Sequence, residues 1–291
     1  MGKKSRRKKV GANKPFRPIV PHVARPFEGL DAEADLVAMR EIIPAATLKA
    51  MTTEEYGSVD FYFATLLPDA APAIVREDGV ILVGMQTRSS TRDAAHDLGV
   101  ALVAAIDRKK KIDEGAAEYG VVRVDVRDAG PRINDMLAST QKMEIQNDLG
   151  FWVADGQKDD EIASVIEQTS NELIPSKAVS GVENTYWHDM GKHFVRWIRL
   201  EDEDQLFTAL ARLQAAGELT LGQGDRFIGA FRACGISIPV FEFPGEVDPD
   251  TLTEPVQELE QKLSAALENK DPMNEDERRA RAGLVSRQVS I

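Results

Sequence analysis

Residues 73–83 read Ala73-Ile-Val-Arg-Glu-Asp-Gly-Val-Ile-Leu-Val83, two short apolar, β-branched runs around Glu77-Asp78-Gly79. An Asp-Gly pair between such runs signals a β-hairpin, because glycine supplies the positive φ that a tight turn demands. Further on, Ser90-Thr91-Arg92-Asp93 has capping-box spacing and predicts a helix running to about Arg108. Its apolar positions are Ala94, Ala95, Leu98, Leu102 and Ile106, and Lys109, Lys110 and Lys111 sit near its C-terminal end, where cations offset the helix dipole. A hairpin feeding an amphipathic helix implies a sheet with helices packed on it, an α+β fold.

The same grammar extends in both directions. Asp31 to Ile42 predicts a helix ended by Pro44, and Ala45–Met51 and Val59–Leu67 predict strands. Past the central helix, Val121–Val126 predicts a strand, Ile133–Met143 a short helix and Phe151-Trp152-Val153 another strand. Ile162, Val165, Ile166, Thr169 and Leu173 form a helical face closed by Pro175. A second hairpin follows, Tyr186-Trp187-His188 and His193-Phe194-Val195-Arg196-Trp197 around Asp189-Met190-Gly191-Lys192. Glu201-Asp202-Glu203-Asp204 then leads into a helix carrying Leu206, Phe207, Leu210 and Leu213. Each half thus holds a hairpin with glycine in its turn and an acid-capped helix, the pattern of two related units. After Gly224, Phe227, Ile228 and Phe231 predict a short helix before an apolar strand, Ile236–Phe243. A last helix begins near Thr253–Pro255, and beyond a short helix at Glu275–Arg281 the charged end is expected to be loosely ordered. The expected fold is α+β, with mixed or antiparallel sheets, packed amphipathic helices and two hairpin-helix halves. Its expected segments are an arm over 1–29, units over 30–112 and 113–245, and a C-terminal helix and tail over 246–291.

Charge is distributed in a bipolar way. Nine of the 36 basic residues fall between Lys3 and Arg25 before any acid appears, leaving 27 against 48 acids. A polycation is drawn to polyanions by counterion release, whereas an acidic body is repelled from them. The arm has two parts, a basic cluster expected to be disordered (Lys3, Lys4, Arg6, Arg7, Lys8, Lys9) and a segment spaced by Pro15, Pro18 and Pro21. Phe16, Ile19, Val20, Val23 and Phe27 give that segment apolar contacts. Two readings are open: they clamp the arm to the body, or they dock on a partner. No apolar run follows the basic cluster, as a secretion signal requires, and Arg6 stands where a myristoylation signal needs Ser or Thr. Val100–Ile106 is far too short to span a bilayer. A single cysteine, Cys234, excludes an internal disulfide and fits a reducing cytoplasm.

Four constellations invite a chemical reading. His188, His193 and Asp189 flank one turn, but no third metal ligand stands at a recognisable spacing, so hairpin-tip histidines are expected. Gly217, Gly222, Gly224 and Gly229 around Asp225 and Arg226 match neither a phosphate loop nor a dinucleotide fingerprint and read as turn glycines. Arg88 and Arg92, with Ser89, Ser90 and Thr91 at a helix start, offer guanidiniums, hydroxyls and free backbone N–H groups to a phosphate. Ordinary capping explains the hydroxyls as well. The run Glu201–Asp204 suits the first turn of a helix without any Mg²⁺. Cys234 reads as core packing, and no serine-nucleophile elbow is present. No catalytic residue is assigned, and no metal or cofactor is expected.

Met1-Gly-Lys-Lys-Ser-Arg6, Met39-Arg-Glu-Ile-Ile-Pro-Ala-Ala-Thr47, Gly150-Phe-Trp-Val-Ala-Asp-Gly156 and Glu254-Pro-Val-Gln-Glu-Leu-Glu-Gln-Lys-Leu263 together carry a resemblance over the whole chain. They are similar to an uncharacterised family of high-GC Gram-positive bacteria, a domain of unknown function whose members are sometimes labelled as related to the SecA preprotein translocase. The resemblance implies a cytoplasmic bacterial protein and supplies no catalytic residue. This chain has neither the Walker loop nor the Cys-rich zinc tail of that ATPase.

Two functions are expected from the residues, and the resemblance implies a protein-translocation-associated factor as a third. One is a non-catalytic accessory factor whose basic arm contacts RNA, with the ribosome as the target and an anionic membrane surface as the competitor. Its acidic body or C-terminal helix would engage a protein. The other is an enzyme on a phosphorylated or acidic small molecule, with Arg88 and Arg92 as clamps. The apolar face from Leu252 to Leu267 either pairs with a second copy or packs on its own body, so the oligomeric state is open.

Overall fold

The computed structural model describes residues 19–154 and 160–287, together with the backbone of 289–290. Helix α1 (Glu33–Glu41) leads into the antiparallel pair β1 (Ala46–Thr52) and β2 (Asp60–Leu66). Strands β3 (Ala73–Val75) and β4 (Ile81–Gln86) form the expected hairpin, with Gly79 at φ 81° in its turn. β4 lies parallel to β2, and β5 (Gly120–Val122) continues the sheet beyond β3. Helix α2 (Ala94–Asp113) follows β4 in the chain. Strands β6 (Leu137–Thr140) and β7 (Glu144–Ile145) both pair with β1, completing a seven-stranded mixed sheet ordered β5-β3-β4-β2-β1-β6, with β7 beside β1.

The rest of the chain builds a second sheet. Helix α3 (Asp160–Ser170) precedes β8 (Ser176–Ala178) and the second hairpin, β9 (Thr185–Asp189) with β10 (His193–Trp197). Helix α4 (Glu203–Ala216) comes next, then β11 (Arg226–Ala233), β12 (Ile236–Phe243), α5 (Thr253–Glu268), α6 (Glu275–Val285) and β13 (Val289–Ser290). The sheet is ordered β13-β11-β12-β10-β9-β8 and is antiparallel except at β13. The fold is α+β. Both hairpins are followed by a helix, but β4 has the preceding strand β2 parallel beside it, whereas β10 has the following strand β12 antiparallel beside it.

Packing follows strand alternation, since neighbouring residues face opposite sides of a sheet. One face of the first sheet, with Phe61, Phe63, Val83 and Met85, packs on Leu36 and Met39 of α1 and Leu98 and Leu102 of α2. This core continues into Tyr186, Ile198, Ala233, Ile236 and Ile238 of the second half, so the two sheets are joined through apolar contacts. The other face of the second sheet carries Trp187, Val195, Trp197, Phe241 and Phe243 against Leu206, Phe207 and Leu210 of α4. Leu252, Val256, Leu259 and Leu263 are at most 1% exposed in that same core. The apolar face of α5 therefore packs on its own body.

Five local expectations are corrected. Ile133–Met143 is not a helix but a 3-10 turn, Ile133–Asp135, followed by β6. Ile133 and Met136, both fully buried at a spacing of three, imitate helical periodicity there. Phe227, Ile228 and Phe231 lie in a strand, because a bulge at Gly229 (φ 134°) shifts the register and puts Phe227 and Phe231 on opposite faces. Phe151 and Trp152 belong to a 3-10 turn, where the indole N–H of Trp152 donates to the Leu66 carbonyl at 2.8 Å. The strand at Val121 ends at Val122. The cap of α2 is Asp93, whose Oδ1 accepts from the Ala95 amide at 3.0 Å, and not Ser90.

Candidate functional site

The described part of the arm is held to the body by four kinds of contact. Phe27 is fully buried in the first core. The Val23 amide donates to the carbonyl of Arg92 at 3.0 Å. Arg25 makes a two-pronged pair with the buried Glu33, at 2.6 and 2.8 Å. Arg132 donates to the Pro26 carbonyl at 2.9 Å while its Nε lies 2.7 Å from Asp93, the cap of α2. Clamping to the body, the first of the two readings of the arm, thus holds for residues 23–27. A Cβ at Gly235 would lie 2.7 Å from the Ala24 carbonyl oxygen, so the turn between β11 and β12 needs glycine to let the arm pass.

Beside this crossing lies a groove of about 550 Å³, lined by His22, Val23, Arg40, Arg92, Arg232 and Cys234 among others, with no carboxylate in its lining. The end of α1 supplies Arg40, the approach to α2 supplies Arg92, and the end of β11 supplies Arg232. Arg40 is oriented by donating to the Met85 carbonyl at 3.0 Å and by Glu41 at 3.1 Å. Arg232 is held by Glu203, whose hydrogen bonds keep its guanidinium firmly charged. Arg92 is exposed, and among the described residues no carboxylate lies within ion-pair distance of it. Cys234 occupies a left-handed position (φ 48°) in the turn, with Sγ 3.7 Å from Glu41 Oε1. Burial, aided by Glu41, pushes its thiol up to about 12, so the sulfur stays protonated. Glu41 and Glu203 offset Arg40 and Arg232, so Arg92 is the uncompensated cation of the groove among the described residues, and it is the group there that could hold an anion.

Arg88 and Arg92 do not share this cavity. Arg88 lines a neighbouring one of about 370 Å³ with Gln86, Thr87 and Ser90, and its Nη2 lies 3.4 Å from Asp69. Arg40 borders both cavities. The start of α2 itself is occupied by carboxylates: Asp93 caps it, and Asp97 accepts from the Thr91 amide at 2.8 Å and the Thr91 hydroxyl at 2.6 Å. Arg40 and Arg232 escape a reading of the sequence, since each stands beside apolar residues of an ordinary helix or strand and only tertiary packing brings them to Arg92.

The remaining constellations have structural roles. His188 and His193 fall on opposite faces of the second sheet, because His193 pairs with Asp189 and His188 with Phe194. His188 is fully buried, with Nδ1 2.8 Å from the Ser176 hydroxyl, and burial drives its ring down to about 3. His193 Nδ1 accepts from the Val247 amide at 2.8 Å. Gly217, Gly222 and Gly224 have positive φ in turns, and Asp225 accepts from the Leu221 amide at 3.1 Å. Asp202 caps α4, Glu201 pairs with Arg199, Glu203 with Arg232, and Asp204 with Arg281. Among the described residues no group of three or more His, Cys, Asp or Glu is set to hold a metal, and no helix is long and apolar enough to cross a membrane. Lys3, Lys4, Arg6, Arg7, Lys8 and Lys9 lie outside the described residues.

A family model described as a family of unknown function (DUF5926) matches residues 26–291, and the chain belongs to that family. No curated protein and no solved structure matches it.

Proposed function

We propose that this member of the family is a non-catalytic accessory factor that contacts RNA through its basic N-terminal residues and the arginine groove at their root. The observation that carries the reading is the fixed crossing of the arm. Val23 is bonded to Arg92 beside Arg40 and Arg232, and the sequence N-terminal to it carries eight cations from Lys3 to Arg17. Phosphate-directed contacts of this kind are weakly sequence-selective and strongly salt-dependent. The test is co-sedimentation with ribosomes at two salt concentrations, comparing the full chain with one lacking residues 2–13. The full chain should pellet at low salt and be released at high salt, and the shortened one should remain in solution at both. Equal, salt-insensitive behaviour would overturn the proposal.

A second reading has one observation in its favour: the groove has the size of a small-molecule site. An enzyme acting on a phosphorylated or acidic small molecule would then be stabilised thermally by nucleotides or sugar phosphates, and Arg92→Ala would abolish the shift. From the resemblance we also infer a high-GC Gram-positive bacterial source and a cytoplasmic location. A translocation-associated role finds no supporting residue in the groove.

A further inference from the structure

A third cavity, of about 460 Å³, lies where α1, the β6–β7 connection and the β8–β9 edge meet. Its chemistry is opposite to that of the arginine groove. Asp31, Asp35 and Glu183 line it against a single cation, Lys142, and Lys142 is already paired with Glu183 at 2.6 Å. The aliphatic lining comes from Ile145, Val182 and Leu200.

Two polar atoms there have no hydrogen-bond partner among the described residues. Tyr186 is 4% exposed, and its hydroxyl makes no hydrogen bond among the described residues, yet it is not among the polar atoms sealed from solvent. Tyr186 lines the cavity, and the fields of Asp35 and Glu183, which line it too, act on its phenol. Asp35 uses one oxygen to accept from the Met143 amide at 3.1 Å, and its other oxygen has no bond among the described residues. Burial first, then the negative fields of Asp35 and Glu183, raises the Tyr186 phenol and keeps it protonated. Both atoms reach the open cavity, where water or a ligand completes their hydrogen bonding. The excess of carboxylates selects a cation over an anion.

We propose that this cavity binds a small molecule bearing a protonated primary amine, with Asp35 and Tyr186 as its hydrogen-bonding partners. The ammonium N–H groups donate to the free Asp35 oxygen and to the Tyr186 oxygen, and the alkyl part lies on Ile145, Val182 and Leu200. The Lys142–Glu183 pair spans from the β6–β7 connection to the β8–β9 connection and forms part of the lining.

Calorimetric titration of the full chain with putrescine tests this, with 1,4-butanediol and glutarate as neutral and anionic counterparts. Putrescine should saturate one site, and neither counterpart should bind. Tyr186→Phe should weaken putrescine at least tenfold without altering net charge, and Asp35→Asn should weaken it further. Tyr186→Phe removes only an unbonded hydroxyl, so the variant stays folded, as circular dichroism would verify. Glu258→Gln, at an exposed position on α5, makes the same charge change as Asp35→Asn away from the cavity and should bind as the parent does. Failure of putrescine to saturate a site, equal binding of the diol, or an undiminished affinity in Tyr186→Phe would each overturn the proposal.

Discussion

The amide of Val23 and the carbonyl of Arg92 meet at 3.0 Å, so the N-terminal arm is tied to the residue that immediately precedes the cap of α2. Arg132 reinforces the junction by holding Pro26 and Asp93 with one guanidinium. Asp93 is 3% exposed, and removing its cation leaves a buried carboxylate short of a partner. Arg132→Ala should therefore cost about 3 kcal/mol of stability, measured as a lower urea midpoint with an unchanged m-value. A cost near zero would show that the arm and the helix start are independent.

Gly235 is the second point of closure. Alanine there would meet a φ of 77° and press a Cβ to 2.7 Å from the Ala24 carbonyl and 2.9 Å from Arg25 Cβ. Since both obstacles are the arm, Gly235→Ala should release it, and limited chymotrypsin digestion should cut after the buried Phe27 much faster than in the parent. Unchanged cleavage would mean that the turn yields instead of the arm.

The hairpins show what a sequence can and cannot disclose. Glu77-Asp78-Gly79 and Asp189-Met190-Gly191-Lys192 were legible because turn chemistry is local, and the start and end of β12 followed from a mostly apolar run bounded by Gly235 and Pro244. Phe227, Ile228 and Phe231 misled because a bulge at Gly229 breaks the two-residue alternation that identifies a strand. The groove was half legible: Arg92 stood out beside a helix start, whereas Arg40 and Arg232 reach it from residues 52 and 140 positions away in the chain. Tyr186 was read as hairpin content, since nothing local marks a hydroxyl that tertiary packing leaves unbonded.

His188 sets an acid limit on stability. Its ring titrates near 3 in the fold against an ordinary value of 6.5, because burial disfavours the charged form. Between those values the unfolded chain binds a proton that the folded chain does not, so stability rises with pH. The contribution is complete above about pH 6.5 and is lost as pH falls through the window, by up to about 1.4 kcal/mol per pH unit. His188→Gln should flatten this part of the profile, as read by urea midpoints from pH 7 to pH 4. An equally steep profile in the variant would place the acid sensitivity elsewhere.

Cys234 should be a slow thiol. Burial and Glu41 push it up to about 12, leaving almost no thiolate at neutral pH. Ellman's reagent at pH 8 should modify it many times more slowly in the folded protein than in 6 M guanidinium, and Glu41→Gln should speed the folded reaction. Rapid labelling of the native protein would contradict the assigned burial.

The central claim is that the basic N-terminal residues and the arginine groove act as one polyanion-binding surface, and the salt dependence of RNA affinity tests it most directly. Fluorescence anisotropy with a single-stranded RNA should give a log-log slope against salt that is steeper in the full chain than in one lacking residues 2–13. The six cations removed predict a difference of about 4. Arg92→Glu in the full chain should reduce affinity further, because it reverses the one groove arginine with no described carboxylate beside it. Identical slopes with and without residues 2–13, together with an unchanged affinity in Arg92→Glu, would contradict the account.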